Sequence, residues 1–116
     1  MESIEDFDKF TTAIAKNDIS LVKKLADKNN INNSYIIDKK SYTPLTLAIA
    51  YNYIDIIEEL INTEGIDINK TDTDGNTALT LAINYNNIYA VKKLIERSDI
   101  DLNKVNNTEN TPLLLA

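Results

Sequence analysis

Apolar residues recur along this chain at the spacing of one face of an α-helix. Leu45, Ala48 and Ile49 lie at positions i, i+3 and i+4, and the same spacing begins again at Ile57. A one-sided apolar face with a period of 3.6 residues predicts an amphipathic helix in each case. Asn52 stands between the two faces. The pattern therefore predicts two short helices joined by a tight corner.

This two-helix pattern is repeated along the chain. The segment TPLTLAI at 43–49 returns 34 residues later as TALTLAI at 77–83, and TPLLLA at 111–116 follows after another 34. An earlier, degenerate copy at 13–19 matches 48–54. Self-similarity at a fixed period of this length is the signature of a solenoid built from stacked units.

An asparagine stands at the same place in three copies of the unit. Asn17, Asn52 and Asn86 each follow the first apolar face. Because asparagine tolerates the left-handed conformation in which helices end, each is predicted to terminate the first helix of its pair. The same role at the ends of the second helices is assigned to Asn29, Gly65 and Asp99.

A single helix pair cannot bury its own apolar face, so the units must stack and share a continuous core. The predicted fold is an all-α solenoid of helix-turn-helix pairs in a single domain over 1–116. Its units are expected at about 1–37, which serves as an N-terminal cap, at 38–71, at 72–105, and at 106–116, which is a partial repeat.

The motifs of the unit resemble the ankyrin repeat. TPL at 43–45 with Ala48, and DIN at 67–69, match the family pattern, whose consensus T-P-L-H-x-A recurs about every 33 residues. The resemblance implies short β-hairpin fingers between the helix pairs. The chain departs from the pattern in its period of 34 and at the customary histidine, which is replaced by Thr46, Thr80 and Leu114.

The resemblance also implies a concave surface that binds a partner protein. Tyr51 and Tyr85 stand at matching positions just before the first-helix caps and are expected to line this surface. The alternative is that the two rings pack against each other across the repeat interface. The finger residues that the resemblance assigns to partner binding are Lys39, Lys40, Tyr42, Thr73, Asp74, Asn76, Asn107, Thr108 and Asn110.

The stretch Asp72-Thr73-Asp74-Gly75 could be a calcium loop or a turn. With Gly75 at position 6 of a calcium loop, position 1 would be Lys70 and position 12 would be Leu81. Neither can supply the oxygen ligand required there. Asp and Gly also favour tight turns, so we interpret this stretch as the tip of the best-formed finger.

Composition narrows the possible chemistry. The chain has no cysteine and no histidine, which excludes Cys–His and Ser–His–Asp catalysis and histidine-based zinc sites within it. An enzyme is therefore disfavoured, and no metal or other cofactor is expected. The net charge of −6 argues against binding to nucleic acid or to an anionic membrane.

Paired charges occupy matching positions on the second helices. Lys23-Lys24, Glu58-Glu59 and Lys92-Lys93 would form a stripe of alternating sign on the outside of the stack. This stripe is either a charged binding face or a solvated surface with ion pairs between units. We expect the second, in which each exposed pair is worth about 0–1 kcal/mol.

The last unit stops at Ala116, half-way through its first helix. Either the chain is a segment of a longer array, or the short tail docks on the third unit. The expected function is a protein-interaction module, monomeric and cytoplasmic. The alternative is an N-terminal targeting segment of a longer protein, such as a host-directed effector or an enzyme-linked array, with its activity elsewhere and its place in the host cytosol. Neither a signal peptide nor a transmembrane segment is expected.

Overall fold

The computed structural model describes residues 4–37, 39–72 and 74–102, and it confirms the predicted stack of helix pairs. Three helix pairs follow one another along this part of the chain, with a two-stranded sheet between the first and second pairs. The elements are α1 (Ile4–Ala15), α2 (Ile19–Leu25), β1 (Tyr35–Ile37), β2 (Lys40–Tyr42), α3 (Pro44–Tyr51), α4 (Ile54–Ile61), α5 (Ala78–Asn84) and α6 (Ile88–Ile95).

The helices stack in two rows. The first helices of the pairs, α1, α3 and α5, pack side by side in an inner row, and α2, α4 and α6 do the same in an outer row. Ile49 and Leu79 of the inner row and Ile57, Leu60 and Leu94 of the outer row are almost completely buried in one core. Burying each such side chain contributes roughly 1.5–3 kcal/mol, so stacking supplies most of the stabilising free energy. None of the helices in the described residues has the length and apolarity needed to cross a membrane.

The three corner asparagines adopt the left-handed conformation, as the sequence predicted. Their φ angles are 56° at Asn17, 58° at Asn52 and 55° at Asn86. At the second corner the N–H of Asn52 donates to the carbonyl groups of Ala48 and Ile49, which closes the last turn of α3. The backbone reversal lets α4 start two residues after Asn52 and fold back along α3.

Replacing Asn52 with alanine should lower the free energy of unfolding by about 1 kcal/mol, because a Cβ with ordinary substituents disfavours the left-handed region. Asn52 is exposed, so the substitution removes no core contact. Asn52→Gly is the matched control and should stay within about 0.5 kcal/mol of the wild type, since glycine adopts this conformation freely. Urea denaturation monitored by circular dichroism measures both. Equal loss in the two variants would show that the corner does not depend on this conformation.

The predicted ends of the second helices were wrong. These helices end at Leu25, Ile61 and Ile95, four residues before the positions assigned to that role. Of the three assigned residues only Gly65 has a positive φ, at 87°. The chain leaves α4 and α6 through one more residue in right-handed conformation. No reversal is needed at this end, because the loop runs on toward the next unit.

Asparagine side chains hold these exit loops together. The Nδ2 of Asn69 donates to the carbonyl of Asp99 at 2.7 Å, and its Oδ1 accepts the N–H of Asp101 at 2.8 Å. One unit earlier, Asn32 makes the same pair of bonds to the loop after α4, at 2.8 and 2.6 Å. Asn69 of the DIN motif and Asn32, at the equivalent position of the sequence NIN at 30–32, therefore each tie their own loop to the corresponding loop of the next unit.

A second tie joins the second and third units. The Nη1 of Arg97 donates to the carbonyl of Ile61, at the end of α4, at 2.8 Å. Its Nε and Nη2 donate to the two carboxylate oxygens of Asp99 at 2.9 and 2.8 Å. This paired hydrogen bond lowers the pKa of the Asp99 carboxyl. Asp99 therefore orients Arg97, which binds the carbonyl at the C-terminal end of α4.

Threonine pairs cap the first helices where the family carries its histidine. The N–H of Thr46 donates to Oγ1 of Thr43 at 3.1 Å, and the N–H of Thr43 donates to Oγ1 of Thr46 at 2.8 Å. In the next unit, the N–H of Thr80 donates to Oγ1 of Thr77 at 3.2 Å. All four side chains are buried. Reciprocal capping at α3 and a one-way cap at α5 thus pair N-terminal N–H groups of these helices without an imidazole.

Candidate functional site

Two successive loops and the helix α5 enclose a small groove, which we call the finger groove. It has a volume of about 60 Å³. Five of the seven described residues that the resemblance assigned to partner binding line it, together with three others. The lining residues are Lys40, Ser41, Tyr42, Asp72, Asp74, Asn76, Leu81 and Tyr85.

The first wall of the finger groove is the hairpin of β1 and β2. The strands pair antiparallel, with Tyr35 opposite Tyr42 and Ile37 opposite Lys40. Lys39, in the connecting turn, is exposed and has a φ of 70°. Because side chains alternate along a strand, Lys40 and Tyr42 share one face. Tyr42 packs against the core while Lys40 remains exposed, so the hairpin presents an anchored ring beside a free cation.

The second wall is the turn at 72–76. Asp72 Oδ1 accepts the N–H groups of Asp74 and Asn76 at 2.8 and 2.9 Å, and Gly75, with a φ of 80°, donates its N–H to the Asp72 carbonyl at 3.1 Å. The carboxylate of Asp72 is thus used to close its own turn, which supports the turn interpretation over a calcium loop. Asp74 remains exposed at the rim.

The expectation that this turn is the best-formed finger was wrong. In the described residues, regular strand pairing is found in the first finger, β1–β2. Among the described residues of the second finger, the N–H of Asp72 donates to the Asn76 carbonyl, the N–H of Gly75 donates to the Asp72 carbonyl, and the Asp72 side chain accepts the N–H of Asn76. Only seven residues separate Asn69 of the DIN motif from Thr77, the N-cap of α5, and this segment is too short for two paired strands.

The two tyrosines of the inner row have different environments. Tyr85 is 52 % exposed and lines the finger groove one helical turn beyond Leu81. Tyr51 is 47 % exposed, and its ring stacks on Tyr53 with centroids 5.3 Å apart. The hydroxyl of Tyr53 in turn donates to the carbonyl of Ala15 at 3.3 Å. Tyr51 is therefore held toward the first unit. Its ring stacks on Tyr53, and not on Tyr85 as the alternative interpretation expected.

The remaining assigned residues lie outside the described part of the chain. These are Thr73, Asn107, Thr108 and Asn110. Three lining residues were missed from the sequence: Ser41, Asp72 and Leu81. Two of them had a usable signal. Leu81 stands four residues before Tyr85 on the same helical face, and Asp72 stands two before Asp74 in a turn.

The charged stripe forms on the outer row, but without the expected ion pairs. In the described residues, none of Lys23, Lys24, Glu58, Glu59, Lys92 and Lys93 forms an ion pair within 4.0 Å. The Nζ of Lys93 instead lies 5.7 Å from the centre of the Tyr89 ring. Burial raises the pKa of the Tyr89 phenol, and the neighbouring Glu58 carboxylate raises it further. The outer row is thus a solvated surface with an acidic centre on α4.

A family model described as ankyrin repeats in three copies matches residues 10–72 and 64–116. The chain belongs to the ankyrin repeat family. Ankyrin repeats generally serve as protein-interaction modules. The family assignment also confirms the all-α solenoid as the fold class.

Solved ankyrin structures share the fold. The ankyrin repeat domain of Bcl-3, a member of the IκB protein family, is similar with a TM-score of 0.73 and 23 % identity over 92 % of this chain and 46 % of that one. The chain thus spans less than half the length of that relative. The crystal structure of the yeast ribosomal protein Rps3 in complex with its chaperone Yar1 contains a similar chain, with a TM-score of 0.76 and 18 % identity over 99 % of this chain and 85 % of that one. No curated protein matched the sequence.

Proposed function

We propose that this ankyrin domain binds a partner protein through the finger groove and the exposed inner-row surface beside it. The observation that carries the proposal is that residues from two fingers and from α5, distant in sequence, line one groove. Around it lie Lys40, Asp74 and Tyr85, which are exposed and do not belong to the buried core. An arrangement of an aromatic ring with charges of both signs is suited to anchoring a protein side chain.

The chemistry of the groove favours recognition over catalysis. A volume of about 60 Å³ accommodates part of one side chain. One cation, Lys40, and the carboxylates of Asp72 and Asp74 line it, so it can both donate and accept hydrogen bonds. The chain lacks the histidine and cysteine on which most acid–base and nucleophilic chemistry depends. We therefore propose that the chain is a monomeric, cytoplasmic binding module, which acts by covering a surface of its partner protein.

A charge swap across the groove tests this proposal. The Lys40→Glu/Asp74→Lys variant keeps the net charge but reverses both exposed charges. Like charges brought together at an interface cost several kcal/mol, and about 1.4 kcal/mol is already tenfold in affinity. We expect affinity capture from cells of the source organism, followed by mass spectrometry, to recover at least one protein with the wild type that the variant recovers at least about tenfold less.

The matched control is Lys92→Glu/Glu96→Lys, which reverses two exposed charges, one on α6 of the outer row and one at its C-cap, and also keeps the net charge. It should recover the same proteins as the wild type. Tyr85→Ala should reduce recovery more than Tyr51→Ala, because Tyr85 lines the groove and Tyr51 stacks on Tyr53. Equal recovery by the wild type and the finger-groove swap would remove the groove as the binding surface.

A further inference from the structure

A larger groove lies at the other end of the helices, between the corner that joins α3 to α4 and the corner that joins α5 to α6. We call it the corner groove. Its volume is about 440 Å³, and Ile54, Tyr85, Asn87, Ile88 and Tyr89 are among the residues that line it. The helix α3 starts directly after the hairpin and ends at this corner, so its eight residues place the hairpin about 12 Å from the corner. Tyr85, at the end of α5, lines both grooves.

The corner groove contains a buried hydrogen-bond donor without an acceptor. Asn87 is 7 % exposed, and its Oδ1 accepts the N–H of Ala90 at 3.1 Å, which caps α6. This cap determines the orientation of the amide, because only the oxygen can accept that bond. The other end of the amide is therefore Nδ2, and it has no hydrogen-bond partner in the described structure. Buried polar groups are nearly always paired, so this donor points to an acceptor that binds from outside.

The lining of the corner groove is uncharged and partly apolar. Ile88 is 60 % exposed and Tyr85 is 52 % exposed. Neither side chain belongs to the buried core. None of the lining residues carries a charge that could pair with an anion. The carboxylates of Asp55, Glu58 and Glu96 act on the adjoining Tyr89 and make an anionic ligand less favourable still.

The groove thus favours a ligand with a neutral hydrogen-bond acceptor next to an apolar group. A polypeptide offers this combination in a main-chain carbonyl beside an aliphatic side chain. We propose that the corner groove is a second docking site, which takes an uncharged segment of a partner polypeptide. A main-chain carbonyl of that segment accepts a hydrogen bond from Asn87 Nδ2, and its apolar side chain packs on Ile54 and Ile88. The corner groove shares Tyr85 with the finger groove. Asn87, Ile54 and Ile88 line the corner groove alone, so variants at these residues test it independently.

Selection of random linear peptides displayed on phage, with the wild-type chain as target and Asn87→Asp as counter-target, tests this inference. Aspartate still caps a helix as well as asparagine does, but it offers no donor. The first unit carries this arrangement already, since Asp18 caps α2 by accepting the N–H of Leu21 at 3.2 Å. The expected result is a set of peptides with an apolar residue and no excess of acidic residues.

One selected peptide is then synthesised and titrated against four forms of the chain. We expect its affinity to fall at least about tenfold on Asn87→Asp, the loss that one hydrogen bond from a buried group brings. It should also fall on Ile88→Ser, which leaves Asn87 intact and changes a side chain outside the core. Binding to Lys40→Glu/Asp74→Lys should match the wild type, because neither residue lines the corner groove.

Each other result contradicts the inference. Recovery of no peptide, enrichment of acidic peptides, or equal affinity for wild type and Asn87→Asp would remove the corner groove as a docking site. Peptides that bind Asn87→Asp normally but fail on the charge swap would support the finger groove and reject this one. Should Asn87→Asp fail to fold by circular dichroism, the Ile88→Ser titration decides: unchanged affinity there overturns the inference.

Discussion

Leu94→Asp is expected to unfold the third helix pair and most of the stack with it. Leu94 is completely buried on α6, in the layer where α6 packs on α4. Removal of a buried leucine side chain costs about 2–5 kcal/mol, and burial of an unpaired carboxylate adds several more. Because a domain of this kind is stable by only about 5–15 kcal/mol, the variant should lose most of its helical circular dichroism and its cooperative urea transition.

The neighbouring position on the same helix supplies the control. Ile95 is 51 % exposed, so Ile95→Asp should change the free energy of unfolding by no more than about 0.5–1 kcal/mol. Leu60→Asp should be at least as damaging as Leu94→Asp, since α4 packs on both α2 and α6. A cooperative melt of Leu94→Asp that matches the wild type would contradict the stacked core.

Thr46→Val is expected to lower the free energy of unfolding by about 1–3 kcal/mol, the cost of leaving buried polar groups unpaired. Valine has nearly the same shape as threonine, so packing changes little. It removes the hydroxyl that accepts the N–H of Thr43 at 2.8 Å, in a site where Thr46 is 1 % exposed. The N-terminus of α3 and the end of the hairpin before it should loosen together. Urea titration measures the loss, and hydrogen exchange at Thr43 locates it.

Thr12→Val is the matched control for this substitution. Thr12 is exposed on α1, and its replacement should stay within about 0.5 kcal/mol of the wild type. Similar small effects of the two substitutions would show that the reciprocal threonine bonds contribute little. A large effect of Thr46→Val alone would show that a threonine pair replaces the family's histidine as the structural cap.

The regular part of the fold was predictable because local and global requirements agree there. The apolar spacing at Leu45, Ala48 and Ile49 is both a helical face and the stacking surface. Each corner asparagine ends a helix and reverses the direction of the backbone. Both require a residue that tolerates a positive φ. The period of 34 residues then assigns the same structure to each unit. For these reasons the helix pairs and their corners were confirmed.

The exit loops and fingers were less predictable because long-range bonds shape them. The second helices end early because Asn69 and Arg97 bind the neighbouring unit's backbone, and neither bond shows in a local pattern. The second finger carries the stronger turn signal, at Gly75, yet regular pairing occurs in the first. The segment between Asn32 and Thr43 is longer than the equivalent segment between Asn69 and Thr77, so the first finger has room for two paired strands.

The candidate site was predicted in outline from the resemblance and in detail only by the packing. Residues from fingers one unit apart meet because the units stack, so Lys40 and Asp74 come together in the finger groove. Tyr51 and Tyr85, equivalent in sequence, differ because Tyr53 is present beside the first and Asn87 beside the second. Equivalent positions in repeats thus share a backbone but not a surface.

Hydrogen–deuterium exchange of the chain, alone and saturated with a partner identified by the charge-swap comparison, is the most direct test of the proposed function. Binding at the finger groove should slow exchange at 39–42 and 74–76 and leave the outer helices α2 and α4 unchanged. Protection confined to those outer helices, with the fingers exchanging as in the free chain, would contradict partner binding through the finger groove.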